Sequence, residues 1–452
     1  MIPKLCSTRI RCVAVYSILL GLLSAVVAFY SYGAETLTLE QAVETALRNN
    51  PGLKAADAQV DAARAGVLRS ASGFLPKVTI SETFSRSDNP LMVFGTKLNQ
   101  EIVSPADFNP LAINNPEPIS NYNTRLAVMQ PIFNGGREYL GIRQSRLARD
   151  ASLKERERAR QETVYNVIKS YYGLLLAQEN LNVARKSLQT SAENLKLAEA
   201  RYKAGAVLQS DFLRAKVQYA EVREMVTRSE NGVRLAKAAL NFAMGVPQES
   251  DYEISGALAE QRLDQGLDAL IAEALSRRPD LAAVELNRKN AEAGVNQART
   301  DYIPSLNVMA QVDWNSRAFA GDDAKSWSVM AVLSWNIFDG LATRSKVRES
   351  VAMSQKVKAL EEQMQSGIQL QVRQAFFNVI ASLDRIAASA SSVQEAEEGF
   401  RIVQKRYQAG MTNFVDVLGA ENALIRARTN ALQALYDNNL AVAELRLATG
   451  TL

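Results

Sequence analysis

Internal repetition constrains this chain more than any other feature. Ala46-Leu47, Pro51 and Leu53 return as Ala274-Leu275, Pro279 and Leu281, and Ala65-Gly66-Val67 with Pro76 returns as Ala293-Gly294-Val295 with Pro304, at an unbroken offset of 228. Further on the offset is 205: Ile132-Phe133-Asn134-Gly135 matches Ile337-Phe338-Asp339-Gly340, and Tyr171-Tyr172 matches Phe376-Phe377. Arg201-Tyr202-Lys203-Ala204-Gly205 matches Arg406-Tyr407-Gln408-Ala409-Gly410 at the same offset, as Asp211 matches Asp416 and Gly245 matches Gly450. Chance similarity between helices does not hold one register that far. The first copy carries 23 residues more between its two registers, the difference of the offsets, and these are expected as an inserted loop.

The repeats divide the chain into segments. Residues 1–34 read as a signal peptide, with a basic start, an apolar run from Cys12 to Tyr30 and small residues after it. Residues 35–245 form the first repeat, 246–265 a linker and 266–452 the second repeat. In each, a helix breaks at Asn49-Asn50-Pro51 or Arg277-Arg278-Pro279, because proline disfavours helix in the residue before it. A second helix stops at Pro76 or Pro304. Strands are then expected at 76–88 and 119–133 and again at 304–316 and 326–338, followed by helices at 137–203 and 210–244 and at 342–408 and 414–448.

Alternation defines the strands. Leu306, Val308, Ala310, Val312 and Trp314 face one way, against Asn307, Gln311 and Asp313, with Met309 as the exception. Trp327, Val329, Ala331, Leu333 and Trp335 oppose Ser326, Ser328 and Ser334. A half-buried sheet in a soluble protein shows the same pattern. The aromatic spacing favours a membrane: from Trp327 to Trp335 is roughly 26 Å at about 3.3 Å per residue. An outer-membrane barrel has an apolar band of about 25 Å between aromatic girdles, where Trp314, Trp327 and Trp335 would sit. Four strands cannot close a barrel, and lipid does not tolerate an open edge, so copies must pool strands. Two copies or three satisfy that requirement.

No proline interrupts 137–203 or 342–408, so each can form a helix of roughly 100 Å at about 1.5 Å per residue. Leu181, Leu188, Leu195 and Tyr202 alternate with Ala184, Ser191 and Ala198, and Ile386, Val393, Phe400 and Tyr407 repeat the heptad spacing. Gly205 and Gly410 end these helices as residues free to adopt positive φ. Asp211 and Asp416 follow in the first turn of the next helix, where the helix dipole favours an acid whatever its function.

Bulk composition mostly excludes. The formal charge is +4, and Lys4, Arg9 and Arg11 lie in an acid-free leader, leaving +1 on the body and no footprint for nucleic acid. Histidine is absent, and both cysteines, Cys6 and Cys12, fall in that leader, so the body cannot form a disulfide. No nucleophile–base set, phosphate loop or metal cluster appears, so neither enzymatic activity nor a cofactor is expected.

These motifs together resemble the TolC-type outer membrane efflux proteins, from Leu39-Glu40-Gln41-Ala42 to Ala448-Thr449-Gly450. The resemblance rests on the proline breaks, the Pro131-Ile132-Phe133-Asn134-Gly135-Gly136 strand exit, and the paired Arg-Tyr-x-Ala-Gly turns, each followed by an Asp. It implies a mostly α fold with a small β part: long antiparallel coiled-coil helices forming an α-barrel, and four amphipathic strands per chain in a trimeric twelve-stranded β-barrel. It implies a homotrimer in outer-membrane lipid of a Gram-negative bacterium. Its periplasmic tunnel would be a passive duct for efflux or type I secretion, opened by a periplasmic adaptor and an inner-membrane transporter. The resemblance places Gly205, Gly410, Arg201 and Arg406 at the tunnel tip for adaptor docking, and Asp416 and Asp211 at the periplasmic constriction. Two departures stand out: Gly419 replaces a second acid, and Thr412 replaces an arginine that ties the tip in some relatives. A trimeric coiled-coil adhesin places its anchor at one end of the chain, and an adaptor carries a single hairpin in an all-β body. Neither interrupts its helices twice with strand pairs.

Overall fold

The computed structural model describes residues 36–452, so the leader and its two cysteines lie outside the described residues. The main elements are α1 (Leu39–Asn49), α2 (Pro51–Ala71), β1 (Lys77–Ser87), β2 (Ile119–Asn134), α3 (Arg137–Lys203) and α4 (Gln209–Met244). They are followed by α5 (Leu267–Arg277), α6 (Pro279–Arg299), β3 (Ser305–Ser316), β4 (Ala324–Ser334), α7 (Ala342–Gln408) and α8 (Phe414–Thr449). Helices α3 and α7 contain 67 residues each, and α4 and α8 contain 36 each, so the two repeats produce helices of equal length. Two compact units arise, one of 54–159 with 271–371 and one of the remaining described segments. Among the described residues no helix is both long and apolar enough to cross a membrane.

The first unit holds a four-stranded antiparallel sheet in the order β1-β2-β3-β4, with the β2–β3 pair joining the repeats. Register stacks the apolar residues into rows: Ile80-Leu126-Val312-Trp327, then Val78-Val128-Ala310-Val329, and at the end near the helices Phe133-Leu306-Leu333. The opposite face carries Ser81-Arg125-Asp313-Ser326 and Thr83-Asn123-Asn315. There Arg125 Nε is 2.8 Å from Asp313, which also accepts from Asn123 at 3.2 Å. A polar network on one face and bare hydrophobic rows on the other set the sheet between water and an apolar medium. Met309 has a reason for its place, since it lies in a row with Met129 and Met330 on the wet face.

Two expectations need correction. The fourth strand ends at Ser334, not at 338. Its partner starts at Ser305 behind Pro304, which has no N–H to extend the ladder. Trp335 therefore sits just past the strand, with its indole Nε1 donating to the Tyr302 carbonyl at 3.0 Å. The insertion between β1 and β2 is not a plain loop. It forms helices Pro90–Asn99 and Pro110–Asn114 and the 3-10 turn Pro105–Phe108, each with proline in its first turn, after Asn89, Asn109 and Ser104. Buried Gln100 pins it, donating to the Ser120 carbonyl and the Asn121 side chain, both at 2.9 Å.

In the second unit Thr38 and Gln41 form a capping box that starts α1. Ala42 and Ala46 then pack with Val167, Tyr171, Leu174, Leu240 and Met244. The linker is strapped to these helices: Glu253 and Ile254 pair in parallel with Thr36 and Leu37, and buried Asn439 donates to the Ala259 carbonyl at 2.8 Å. Gly245 ends α4 at φ +70, and a Cβ there would lie 2.8 Å from Asn50 Cα. The Asn-Asn-Pro break and this glycine are one packed joint, closed by Asn50 Nδ2 donating to the Ala243 carbonyl at 2.9 Å. Gly245→Ala should therefore lower stability by about 2 kcal/mol or more, through backbone strain plus the clash. Thermal unfolding read by circular dichroism will show a reduced midpoint, and an unchanged midpoint would mean that the joint yields freely.

Candidate functional site at the hairpin turns

The predicted site residues gather where α3 turns into α4 and α7 into α8. Both turns close alike. Gly205 at φ +71 donates to the Tyr202 carbonyl at 2.9 Å and Ala206 to Arg201 at 2.8 Å; Gly410 at φ +75 donates to Tyr407 at 3.0 Å and Met411 to Arg406 at 2.9 Å. These are Schellman closures, which need the left-handed residue that glycine supplies. A Cβ on either glycine would meet nothing within 4 Å, so the requirement there is backbone conformation alone.

The two helices that follow start differently. Asn413 caps α8, its side chain accepting from the Asp416 N–H at 3.0 Å, whereas Leu208 offers α4 no side-chain cap. Asp416 is therefore not the cap: it is exposed in the first turn and accepts from the Thr412 hydroxyl. Thr412 orients the acid. Asp211 is half-buried and lies close enough to Tyr407 for its charge to act on that ring.

The structure brings Arg201 into a definite role. Its guanidinium donates to the Tyr407 carbonyl at 2.5 Å and to the Gln408 carbonyl, and stands 4.9 Å from the centre of the Tyr407 ring. A cation on the last carbonyls of a helix satisfies orphan acceptors and opposes the negative end of the dipole. Tyr407 is 1% exposed, packed with Phe414, Val417, Ala198 and Ala215, and burial pushes its phenol above the ordinary value. Arg406 is exposed. Of the predicted interface aromatics, Trp327 is 75% and Trp335 61% exposed, while Trp314 is partly covered, with Lys325 Nζ 5.7 Å from its ring.

One residue of the site escaped the sequence reading. Glu421, on α8, is 3% exposed; among the described residues its carboxyl accepts one hydrogen bond, from Asn194 on α3 at 3.4 Å, and its Oε1 has no partner. Phe414, Val417, Glu421 and Leu424 follow the spacing of one helix face, so a carboxyl on an apolar stripe was the available signal. Burial raises the Glu421 pKa to about 7, with the Asn194 hydrogen bond opposing the shift.

Comparison with known proteins places this geometry. The sequence matches the family described as outer membrane efflux protein over residues 42–246 and 270–451, and the chain belongs to that family. It is 24% identical to the outer membrane protein TolC of Vibrio cholerae, across 92% of this chain and 91% of TolC. It is likewise 24% identical to the alkaline protease secretion protein AprF of Pseudomonas aeruginosa, across 93% of this chain and 85% of AprF. The fold matches that of the outer-membrane channel OprN with a TM-score of 0.76 at 21% identity, covering 91% of this chain and 89% of OprN. The protein is an outer-membrane channel of a Gram-negative bacterium, the exit duct of an efflux or type I secretion system.

The Glu421 carboxyl yields a signed prediction. A raised pKa means that packing around it is fully stable below the ordinary carboxyl value of 4.5 and loses stability as pH rises toward about 7. The loss approaches about 1.4 kcal/mol per pH unit in that window. Hydrogen-exchange protection of residues 414–424, corrected for intrinsic rates, should fall between pH 5 and 7 in the native chain and stay level in Glu421→Gln. A parallel fall in both would assign the effect elsewhere.

Proposed function

We propose that the chain works as a homotrimer whose hairpin turns form the inner tip of the duct. A periplasmic adaptor docks on that tip, and an inner-membrane transporter supplies the energy. The observation that carries this reading is the sheet: β1 and β4 each pair on one side only, and two apolar rows run unbroken across all four strands. Three copies joined edge to edge leave no open edge in lipid. Phe84, Tyr122, Trp314 and Trp327 make the outer aromatic rim of the lipid-facing band, and Trp335 the inner rim. A charge on the lipid face costs about 2–4 kcal/mol at the midplane, whereas the wet face tolerates it. Val329→Arg should accordingly reduce the yield of folded trimer far more than Ser328→Arg, and equal yields would reverse the facing.

The turns suit a docking role. Leu208 and Met411, beside Gly205 and Gly410, are both exposed, giving an adaptor an apolar contact at each turn, framed by Arg201 and Arg406. Asp416 then occurs three times around the axis, and Asp211, near Tyr407, supports the constriction from a half-buried position. A ring of carboxylates in a narrow pore focuses field and favours cations. Because Asn413 is the cap, Asp416→Asn removes charge without disturbing the helix start. In planar bilayers the variant should lose cation preference, read as a reversal potential in a salt gradient, with trimer stability unchanged. An unaltered reversal potential would leave Asp416 a dipole-compensating residue only.

A further inference from the structure

The two turns are chemically equivalent, yet only one of them receives a side-chain cation within the chain. Arg201 and Arg406 correspond at the offset of 205 that relates the repeats, and the backbone bonds that close their turns are the same pair. Arg201 spans the end of α7, on the carbonyls of Tyr407 and Gln408 and over the Tyr407 ring. The counterpart at the end of α3 would be a cation on the carbonyls of Tyr202 and Lys203. No side chain among the described residues provides it. Tyr202 is 37% exposed where Tyr407 is 1%, and it stacks flat on Phe212 at 5.5 Å. Arg406 is exposed and has no partner among the described residues. A matched donor and acceptor set is thus left over on one chain.

We infer that Arg406 ties neighbouring copies of this chain together by capping the partner subunit's α3, on the carbonyls of the partner subunit's Tyr202 and the partner subunit's Lys203. Ring geometry requires such a junction. Within a chain the first hairpin meets the second through Arg201. In a closed ring of copies, the second hairpin must meet the first hairpin of the next chain. With repeats this alike, the second junction can use the chemistry of the first: bidentate donation from a guanidinium to helix-end carbonyls, with the cation over a tyrosine face. The partner is a second copy and not an adaptor, because the unpaired cation and the helix end without a side-chain donor belong to equivalent positions of the same repeat. The inference rests on the trimer proposed above.

The test uses purified full-length protein in detergent, without adaptor, with Cys6 and Cys12 changed to alanine. Arg406→Cys combined with Lys203→Cys, treated with a short bis-maleimide, should give covalent dimers and trimers on a denaturing gel. Arg201→Cys with Gln408→Cys should crosslink within the chain and stay at monomer mass. A trimer by light scattering in which the intrachain pair reacts but the intersubunit pair gives no ladder would overturn the tie. Absence of any trimer would instead overturn the proposed assembly, and the tie with it. As a second arm, Arg406→Gln should lower the temperature of trimer dissociation while Glu398→Gln, an exposed position on the same helix, does not. Equal behaviour of the two variants would also overturn it.

Discussion

The structure depends on the need to pair backbone at the edges of a membrane-facing sheet. A four-stranded antiparallel sheet with a largely apolar face exposes two rows of unpaired N–H and C=O groups. In water those edges could be hydrated. In hydrocarbon each unpaired group costs several kcal/mol, so the sheet is stable only when its edges meet other edges. Everything else in the chain is compatible with that closure. The bulge at Pro131–Phe133 bends β2 where a proline cannot join the ladder.

The helices show how a duplicated sequence departs from symmetry. Small residues on the heptad stripe, Ala184, Ser191 and Ala198, are buried within one chain, while Leu181, Leu188 and Leu195 are only half-buried. The larger residues have a face left for further packing. At the turns the repeats differ more. Tyr407 is core and Tyr202 is surface, Asn413 caps α8 while α4 lacks a side-chain cap, and Glu421 is buried where the first repeat has exposed Lys216. The duplicated backbone is kept, and the side chains of the two copies have taken different positions around it.

Much of this was legible in the sequence because it rested on period and punctuation. Alternation located the strands, and the absence of proline located α3 and α7, since both signals are local. The misplaced end of β4 was not local: it depends on which residue Ser334 pairs with, and thus on Pro304 in another strand. The helices of the insert were readable, because Asn89-Pro90, Ser104-Pro105 and Asn109-Pro110 are helix starts, but length alone suggested a loop. At the candidate site, residue types revealed the glycine turns and the acids. The pairing of Arg201 with a carbonyl of the other repeat was hidden, because it needs two helix ends more than two hundred residues apart to meet. Glu421 stood in the open as a charge on an apolar stripe.

The central claim is that three copies close one barrel with twelve strands. Native mass spectrometry of the protein extracted in mild detergent tests it most directly, because it counts chains in the folded assembly. The account predicts a single species at three times the chain mass that resists mild activation as a unit, as edge-paired strands require. A monodisperse monomer or dimer from the same membranes would contradict it.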